Sequence, residues 1–136
     1  MEAPVRAPVV RVAAAVIRRG DQVLITQRPP GGPLGGSWEF PGGKLEPGES
    51  PADAIVRELH EELGVAATVV AELHVERHAY AHGLEVEITF LECTLGTGEP
   101  AAGAGIHAMR WVRPADIDLA TVLEADRAFV ARLARS

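Results

Sequence analysis

The chain has 136 residues, of which 47% are apolar, 24% charged and 4% aromatic, so its length suits one globular domain over residues 1–136. A formal net charge of −6 argues against binding to duplex nucleic acid, which normally requires a basic surface. The apolar runs are only as long as a strand, so we expect no membrane span. The single cysteine, Cys93, cannot form an internal disulfide, and we therefore expect a cytoplasmic location.

The first third of the chain predicts an arm, a hairpin and a long loop. Residues 1–8 form a short, proline-rich N-terminal arm. The segments 9–18 and 23–27 are apolar and rich in β-branched residues, and the turn at Gly20 between them predicts an antiparallel pair. Residues 29–48 contain many glycines and prolines around an aromatic pair, which favours a shaped functional loop over a linker.

The remaining chain predicts a helix followed by strands and a second helix. Ser50 is a typical N-cap, Pro51 suits the first helical position, and Gly64 suits the C-terminal end. In chain order, the pattern then predicts strands at 66–75, 85–95 and 108–112, a turn around 81–83, a small-residue loop at 96–105, a short turn or helix near 115–117, and a terminal helix at 124–134.

The helix predicted at 51–63 has an apolar side and an acidic side. The apolar side comprises Ala52, Ile55, Val56, Leu59 and Leu63. Glu58, Glu61 and Glu62 lie opposite at spacings of three and four, so we expect their carboxylates to converge. Acids in the last turn also oppose the helix dipole. The arrangement favours a bound hard cation, either Mg²⁺ or Mn²⁺ as its substitute. The alternative is an acidic face that is simply solvated and paired with Arg57.

These acids belong to a longer pattern. It consists of Gly43, Glu49, Arg57-Glu58-Leu59, Glu61-Glu62 and Gly64-Val65. With this spacing the chain resembles the Nudix family at all nine positions of its box, and the segment Trp-Glu-Phe-Pro-Gly-Gly-Lys at 38–44 is similar to the MutT-type branch. The resemblance implies an α+β fold, an α/β/α sandwich with a central mixed sheet. It also implies hydrolysis of a nucleoside diphosphate linked to another group.

The resemblance further implies a metal site and catalytic groups within the box. The implied metal ligands are Glu58, Glu61, Glu62 and the carbonyl of Gly43. Arg57 would hold a glutamate carboxylate in place, and Glu49 would support the site through the loop or through water. Glu58 is the first choice for the general base. Upstream of Trp111 the chain offers only Gly-Ile-His at 105–107, where many relatives have an acid and a histidine, so a second metal site stays open.

Residues outside the box bear on the substrate. The candidate substrate-binding residues are Arg28, Trp38, Phe40, Tyr80 and Asp126. Asp126 falls where MutT-type enzymes often carry an asparagine, and an ionised aspartate, which only accepts hydrogen bonds, favours an amino group on the base. Cytosine, adenine, and the amino edge of guanine or 8-oxoguanine stay open, as does a plain helix-start role. Arg28 matches a position near phosphates or base, and Tyr80 is suited to base stacking.

The leading hypothesis is a Mg²⁺-dependent hydrolase that converts a modified, oxidised or cytosine-type nucleoside triphosphate to the monophosphate and pyrophosphate. Tyr80 motivates one alternative, a dinucleoside polyphosphate or nucleotide-sugar (ADP-ribose type) hydrolase. The alternative of another class is a non-catalytic nucleotide-binding module. We expect a monomer or a homodimer. His74, His78 and His82 are expected to be ordinary core or surface histidines.

Overall fold

A computed structural model describes residues 9–136, so the arm predicted at 1–8 lies outside the described residues. The elements are β1 (Val9–Arg19), β2 (Gln22–Gln27), β3 (Trp38–Glu39), β4 (Gly42–Lys44), α1 (Pro51–Leu63), β5 (Ala67–Ala79), β6 (Glu85–Leu95), β7 (Ala108–Val112) and α2 (Glu124–Ala134), with 3₁₀ turns at Pro114–Asp116 and Leu119–Thr121. The two helices and the strands β6 and β7 have the bounds that the sequence predicts.

The strands form one mixed sheet. Its order is β3-β2-β1-β6-β5, with β4 beside β1 and β7 beside β2. Strands β1 and β6 run parallel, from Val9 opposite Glu85 to Ile17 opposite Cys93, and the other pairs are antiparallel. The predicted α+β class and mixed sheet are confirmed.

Strand β1 is buried on both faces of the sheet because successive side chains of a strand point to opposite sides. Ala14 and Val16 pack in one apolar cluster with Phe129 of α2. Ala15 and Ile17 pack in a second cluster with the apolar residues of α1. The sheet therefore lies between two helices, as the α/β/α arrangement requires.

Helix α1 packs on a slightly different face from the one predicted. The Ser50 hydroxyl accepts a hydrogen bond from the Asp53 N–H, and Gly64 ends the helix in the left-handed conformation. The prediction that Val56 faces the core is wrong, since it is 39% exposed, whereas Ala54 is fully buried. Helix α1 also packs on β4, where Glu58, four residues after Ala54, lies against Gly43.

The loop predicted at 29–48 contains two short strands that the sequence did not indicate. Strand β3 pairs with β2 through Thr26 and Glu39, and β4 pairs with β1 through Ala13 and Gly43. Glycines and prolines around these strands indicate a loop. The strands form only because they pair with distant parts of the chain, which a local sequence pattern does not show. Strand β5 likewise extends four residues beyond its predicted end, held by its long pairing with β6.

The terminal helix and the cysteine lie in the core. Phe129 and Val130 of α2 are buried, and Leu133 packs against them, which confirms the predicted apolar stripe. Cys93 is a buried free thiol in β6, and burial raises its pKa to about 11. No helix within residues 9–136 has both the length and the apolar character needed to cross a bilayer.

Candidate active site

Arg57 joins the loop before α1 to the helix itself. Its Nε and Nη2 donate to Oε2 and Oε1 of Glu49, each at 2.9 Å. Its Nη1 donates to Glu58 Oε1 at 3.0 Å and to Glu61 Oε2 at 3.2 Å, and its Nη2 also donates to the Lys44 carbonyl at 3.1 Å. The hydrogen bonds from the guanidinium lower the pKa of Glu49 to about 2. One planar cation thus fixes the orientation of three carboxylates.

Glu58 and Glu62 face the same cleft beside β4. They follow Ala54 at four-residue intervals and therefore flank the buried side of α1. The prediction that they lie opposite the buried side is wrong for these two residues. Only 14% of the Glu58 side chain is exposed. A Cβ on Gly43 would lie 2.5 Å from the Glu58 carboxyl carbon, so only glycine allows β4 to approach the carboxylate this closely.

The carboxyl groups of Glu58 and Glu62 lie close enough to influence each other's ionisation. Burial, together with the charge of Glu58 and a hydrogen bond with it, raises the pKa of Glu62 to about 8. Two carboxylates this close repel each other once both are ionised, and a divalent cation would relieve that repulsion. Oxygen-only donors beside a backbone that lacks a Cβ fit a hard cation such as Mg²⁺.

Glu61 does not join this pair. Its side chain is 56% exposed and its Oε2 accepts a hydrogen bond from Arg57. The expected convergence of three carboxylates is therefore realised only in part, since Glu58 interacts with Glu62, whereas Glu61 is held by the Arg57 Nη1 that also donates to Glu58. Within residues 9–136 no three Asp, Glu, His or Cys side chains form a complete metal site. Such a partial set suits an ion that takes its other ligands from substrate and water.

The last turn of α1 is held by the loop predicted at 96–105. The Gly103 N–H donates to the Glu62 carbonyl at 2.8 Å, and the Ala101 N–H donates to the Leu63 carbonyl at 3.1 Å. These bonds satisfy carbonyls that the helix itself leaves without partners. The position of Glu62 thus depends on a loop about 40 residues further along the chain.

A large cleft and a smaller cavity meet in front of these residues. The cleft, of about 780 Å³, runs between the glycine- and proline-rich segment after β2 and the carboxylates of Glu58 and Glu62. The cavity, of about 220 Å³, lies between the sheet and the start of α2. Arg28, Glu39 and Lys44 line both spaces. A ligand with an anionic part at the glutamates and a flat ring in the cavity would pass these three residues.

Four of the five predicted substrate-binding residues line the smaller cavity, namely Arg28, Phe40, Tyr80 and Asp126. Phe40 is 2% exposed, and its ring meets those of Phe90 and Phe129 edge-on at 5.8 and 5.9 Å, so most of it belongs to the core. The Tyr80 hydroxyl accepts a hydrogen bond from the Ala125 N–H at 3.3 Å.

Asp126 is a buried acid in the first turn of α2. Its Oδ2 accepts a hydrogen bond from the Phe40 N–H at 3.3 Å. Burial, followed by the charge of Glu39, raises its pKa to about 8. The raised pKa favours the protonated carboxyl at neutral pH, whereas the sequence-based interpretation considered the ionised form.

Trp38 lies outside both spaces. The Arg110 guanidinium stacks on its ring at 4.5 Å, and its carbonyl accepts the Leu123 N–H at 3.0 Å. Its ring packs against the apolar cluster beneath α2. The structure thus separates Trp38 from the other four candidates and gives it contacts that anchor the loop.

The three histidines on β5 and the following turn make contacts with protein groups. His74 stacks on Phe129 with ring centroids 5.8 Å apart, and Arg132 lies 3.1 Å from its Nδ1. His78 lies 3.1 Å from a carboxylate oxygen of Glu124. His82 lines the large cleft, and its ring centroid lies 5.4 Å from that of Tyr80.

Sequence reasoning missed Glu39. This residue pairs with Thr26 across β3 and β2, and its Oε2 accepts a hydrogen bond from Arg28 Nε at 2.6 Å. Burial raises its pKa even though Arg28 acts in the opposite direction. The available signal was its place as an acid between two aromatic residues, Trp38 and Phe40, where strand alternation points it away from both.

The family model for the NUDIX domain matches residues 8–133. A CTP pyrophosphohydrolase of Escherichia coli is 53% identical over 60 residues, which are 44% of this chain and 44% of that protein, so the chain matches under half the length of this relative. An 8-oxo-dGTP diphosphatase of Haemophilus influenzae is 35% identical over 127 residues, covering 92% of this chain and 91% of that protein.

A solved structure agrees with these relationships. The crystal structure of a MutT Nudix hydrolase from Burkholderia pseudomallei superposes with a TM-score of 0.82 at 26% identity, covering 92% of this chain and 98% of that one. The chain belongs to the Nudix family of hydrolases. Its relatives and this structural neighbour place it with the MutT-like members, and enzymes of this family need a divalent metal ion.

Proposed function

We propose that this chain is a Mg²⁺-dependent pyrophosphohydrolase that converts a nucleoside triphosphate, preferentially one with an oxidised guanine, to the monophosphate and pyrophosphate. The observation that carries the proposal is the placement of Glu58 and Glu62 beside Gly43, in a cleft that opens into the cavity of Tyr80 and Asp126. An anhydride-cleaving site thus adjoins a space suited to a flat base.

The proposed cation ligands are Glu58, Glu62 and the Gly43 carbonyl, with Glu61 joining if its side chain turns away from Arg57. When bound, the cation would neutralise phosphate oxygens and lower the pKa of a water molecule. Mg²⁺ is the proposed ion and Mn²⁺ its substitute, because both favour oxygen ligands and six-fold coordination. The polar contacts of Arg57 with Glu49 and Glu58 hold the carboxylates ready for this task.

In the proposed reaction, one protein group accepts the proton of the attacking water and others hold that group in position. Water attacks the α- or the β-phosphorus, the P–O bond that bridges these two phosphates breaks, and the monophosphate and pyrophosphate separate. Glu58 is the proposed general base that accepts the proton of the attacking water. Its position is fixed on one side by Arg57 and on the other by the backbone at Gly43.

The raised pKa of Asp126, which favours its neutral form, supports an oxidised guanine as the base. A neutral carboxyl donates through its O–H and accepts through its other oxygen, as an asparagine amide does. It can therefore face a ring carbonyl as well as an amino group. Tyr80 and Phe40 supply apolar walls beside it. The name of the Haemophilus influenzae relative, which covers nearly the whole chain, points to the same substrate.

A cytosine nucleotide is the second candidate. The Escherichia coli CTP pyrophosphohydrolase is the more similar of the two relatives where it matches, although that match spans only 60 residues. Asp126 in its ionised form would favour the exocyclic amino group of cytosine. The preference between the two bases should then change with pH around the pKa of about 8.

The test is a substrate panel with Mg²⁺. Equal concentrations of 8-oxo-dGTP, dGTP, CTP, a diadenosine polyphosphate and ADP-ribose are incubated with the protein, and pyrophosphate, phosphate and monophosphate are quantified. We expect pyrophosphate and monophosphate from 8-oxo-dGTP in preference to dGTP. Faster turnover of CTP would establish the second candidate, and turnover of the dinucleotide or the sugar alone would overturn both. Absence of turnover of every compound would favour a non-catalytic module.

The cellular setting follows from the same proposal. A nucleotide substrate and a buried free thiol are consistent with a cytoplasmic enzyme that acts on the nucleotide pool. We further propose that its partners are small nucleotides rather than duplex nucleic acid, because the chain carries a net charge of −6. A monomer or a homodimer is compatible with this role.

A further inference from the structure

Arg28 and Glu39 form an ion pair at the junction of the cleft and the cavity. Arg28 Nε donates to Glu39 Oε2 at 2.6 Å. Arg28 is 45% exposed at its side chain and Glu39 is 21% exposed. Both residues line both spaces. The pair therefore lies where a nucleotide would pass from its phosphates to its base.

The register of two strands places these side chains together. Thr26 pairs with Glu39 and Gln27 with Trp38, so Arg28 follows β2 on the face that Thr26 and Glu39 share. The Arg28 N–H continues the ladder by donating to the Ser37 carbonyl at 2.9 Å. Backbone hydrogen bonds thus fix both ends of the ion pair.

The pairing uses only one edge of the guanidinium. Glu39 accepts from Nε, and in the part of the chain that the structure describes neither terminal nitrogen of Arg28 has a protein partner. The two terminal nitrogens of an arginine form a planar fork that matches two oxygens of one phosphate. A carboxylate that holds Nε leaves this fork free and restricts its direction.

We propose that Glu39 is a positioning residue that holds Arg28 so that its terminal nitrogens bind a phosphate of the nucleotide at the junction. This inference rests on the proposed function for the identity of the ligand. It assigns to Glu39 no contact with the base and no part in proton transfer. Removal of Glu39 should therefore weaken phosphate binding through Arg28. Base binding should be unchanged at a pH well below the pKa of Asp126, where that carboxyl stays protonated with or without the charge of Glu39.

The test compares ligands that differ only by a phosphate. Calorimetry gives the dissociation constants of CMP and 8-oxo-dGMP, and of cytidine and 8-oxo-deoxyguanosine, for the wild type and for Glu39→Ala, Glu39→Gln, Arg28→Ala and the double Ala variant. The measurements are made well below the pKa of Asp126, so that loss of the Glu39 charge does not change the protonation of that carboxyl. We then expect Glu39→Ala to weaken monophosphate binding about tenfold and to leave nucleoside binding unchanged, because only charge-assisted contacts to phosphate are lost. Glu39→Gln, which keeps an oxygen acceptor for Nε, should lose less.

The double variant decides whether Glu39 acts through Arg28. If it does, Glu39→Ala adds nothing further in the Arg28→Ala background. Additive losses, or equal losses for nucleosides and monophosphates, would overturn the inference, as would a wild type that binds neither monophosphate. Glu99→Ala, which removes an exposed glutamate paired with Arg19 at 3.1 Å, is the matched control and should bind as the wild type does.

The same experiment separates this inference from the proposed function. A wild type that binds the monophosphates with the expected Glu39 dependence but hydrolyses no triphosphate would contradict the enzymatic proposal alone. Conversely, normal hydrolysis with additive Arg28 and Glu39 effects would contradict only the positioning role. A thermal melt of each variant checks that the fold is retained.

Discussion

A Cβ on Gly43 would lie within 2.5 to 2.7 Å of all three carboxyl atoms of Glu58. The Glu58 carboxyl is the end of a flexible side chain, so it can move away from an added methyl group. Gly43→Ala should therefore displace the proposed general base while the fold survives. We expect kcat to fall by at least about tenfold, since a small misplacement of a reacting group is costly. Steady-state kinetics and a thermal melt measure the two effects.

The neighbouring glycine provides the matched control. A Cβ on Gly42 would overlap the backbone carbonyl oxygen of Ala13, which cannot move without breaking the pairing of β1 with β4. Gly42→Ala should therefore lower the thermal midpoint clearly more than Gly43→Ala does. An equal loss of stability in both variants would contradict the account of Gly43 as a residue that makes room for Glu58.

Glu58→Gln tests the proposed base directly. The amide keeps the size of the side chain but cannot accept a proton, so we expect kcat to fall by about 100-fold or more. Circular dichroism should show an unchanged fold. Glu72→Gln, at an exposed position on β5, is the control and should retain wild-type turnover. A Glu58→Gln enzyme as active as the wild type would remove Glu58 from the mechanism.

Arg57→Lys should separate charge from geometry. A lysine keeps the positive charge but cannot make the two-pronged contact with Glu49 or reach Glu58 and Glu61 simultaneously. We expect activity to fall by about 10-fold to 100-fold, as is usual when a group that orients metal ligands is changed. The measurement is kcat/KM at saturating Mg²⁺, with Arg113→Lys in an exposed pair as the control.

Arg57→Lys should also change how the stability of the protein depends on pH in the acid range. The folded-state pKa of Glu49 is about 2, below its ordinary value of 4.5, so its contribution to stability is present above about pH 4.5 and is lost as the pH falls towards 2. Arg57→Lys should weaken this dependence, and acid denaturation followed by circular dichroism measures it. Identical acid profiles for wild type and variant would show that Arg57 does not hold Glu49 in solution.

Asp126 should make the metal-free protein less stable at higher pH. Its folded-state pKa of about 8 exceeds the ordinary 3.8, so between these values the folded state binds more protons than the unfolded state, and stability falls as pH rises. Asp126→Asn should flatten part of that fall, the remainder coming from Glu62. Thermal midpoints from pH 4.5 to 9 in a chelator test this, with the exposed Asp21→Asn as control.

The sequence predicted the elements that carry strong local signals. Ser50, Pro51 and Gly64 delimit α1 through capping chemistry, which depends only on neighbouring residues. The short strands β3 and β4 escaped prediction because their partners lie in β1 and β2, and a two- or three-residue strand has no periodicity of its own.

The site was predictable as a set of residues but not as a geometry. The spacing of Glu58, Glu61 and Glu62 marked the acidic region, yet it could not show that Glu58 and Glu62 are partly buried whereas Glu61 is exposed. Asp126 was identified by position, while its protonation depends on burial that only packing decides. The role proposed for Glu39 depends on its ion pair with Arg28 of the neighbouring chain segment, which the sequence does not reveal.

The most direct test of the central claim is Mn²⁺ binding followed by electron paramagnetic resonance, with and without a nucleoside monophosphate. It compares the wild type with the Glu58→Gln/Glu62→Gln double variant. The account predicts a tight site in the wild type that strengthens with nucleotide and weakens by about tenfold or more in the variant, since two anionic ligands are lost. Equal Mn²⁺ affinity in the two proteins would contradict the assignment of these glutamates as the metal site.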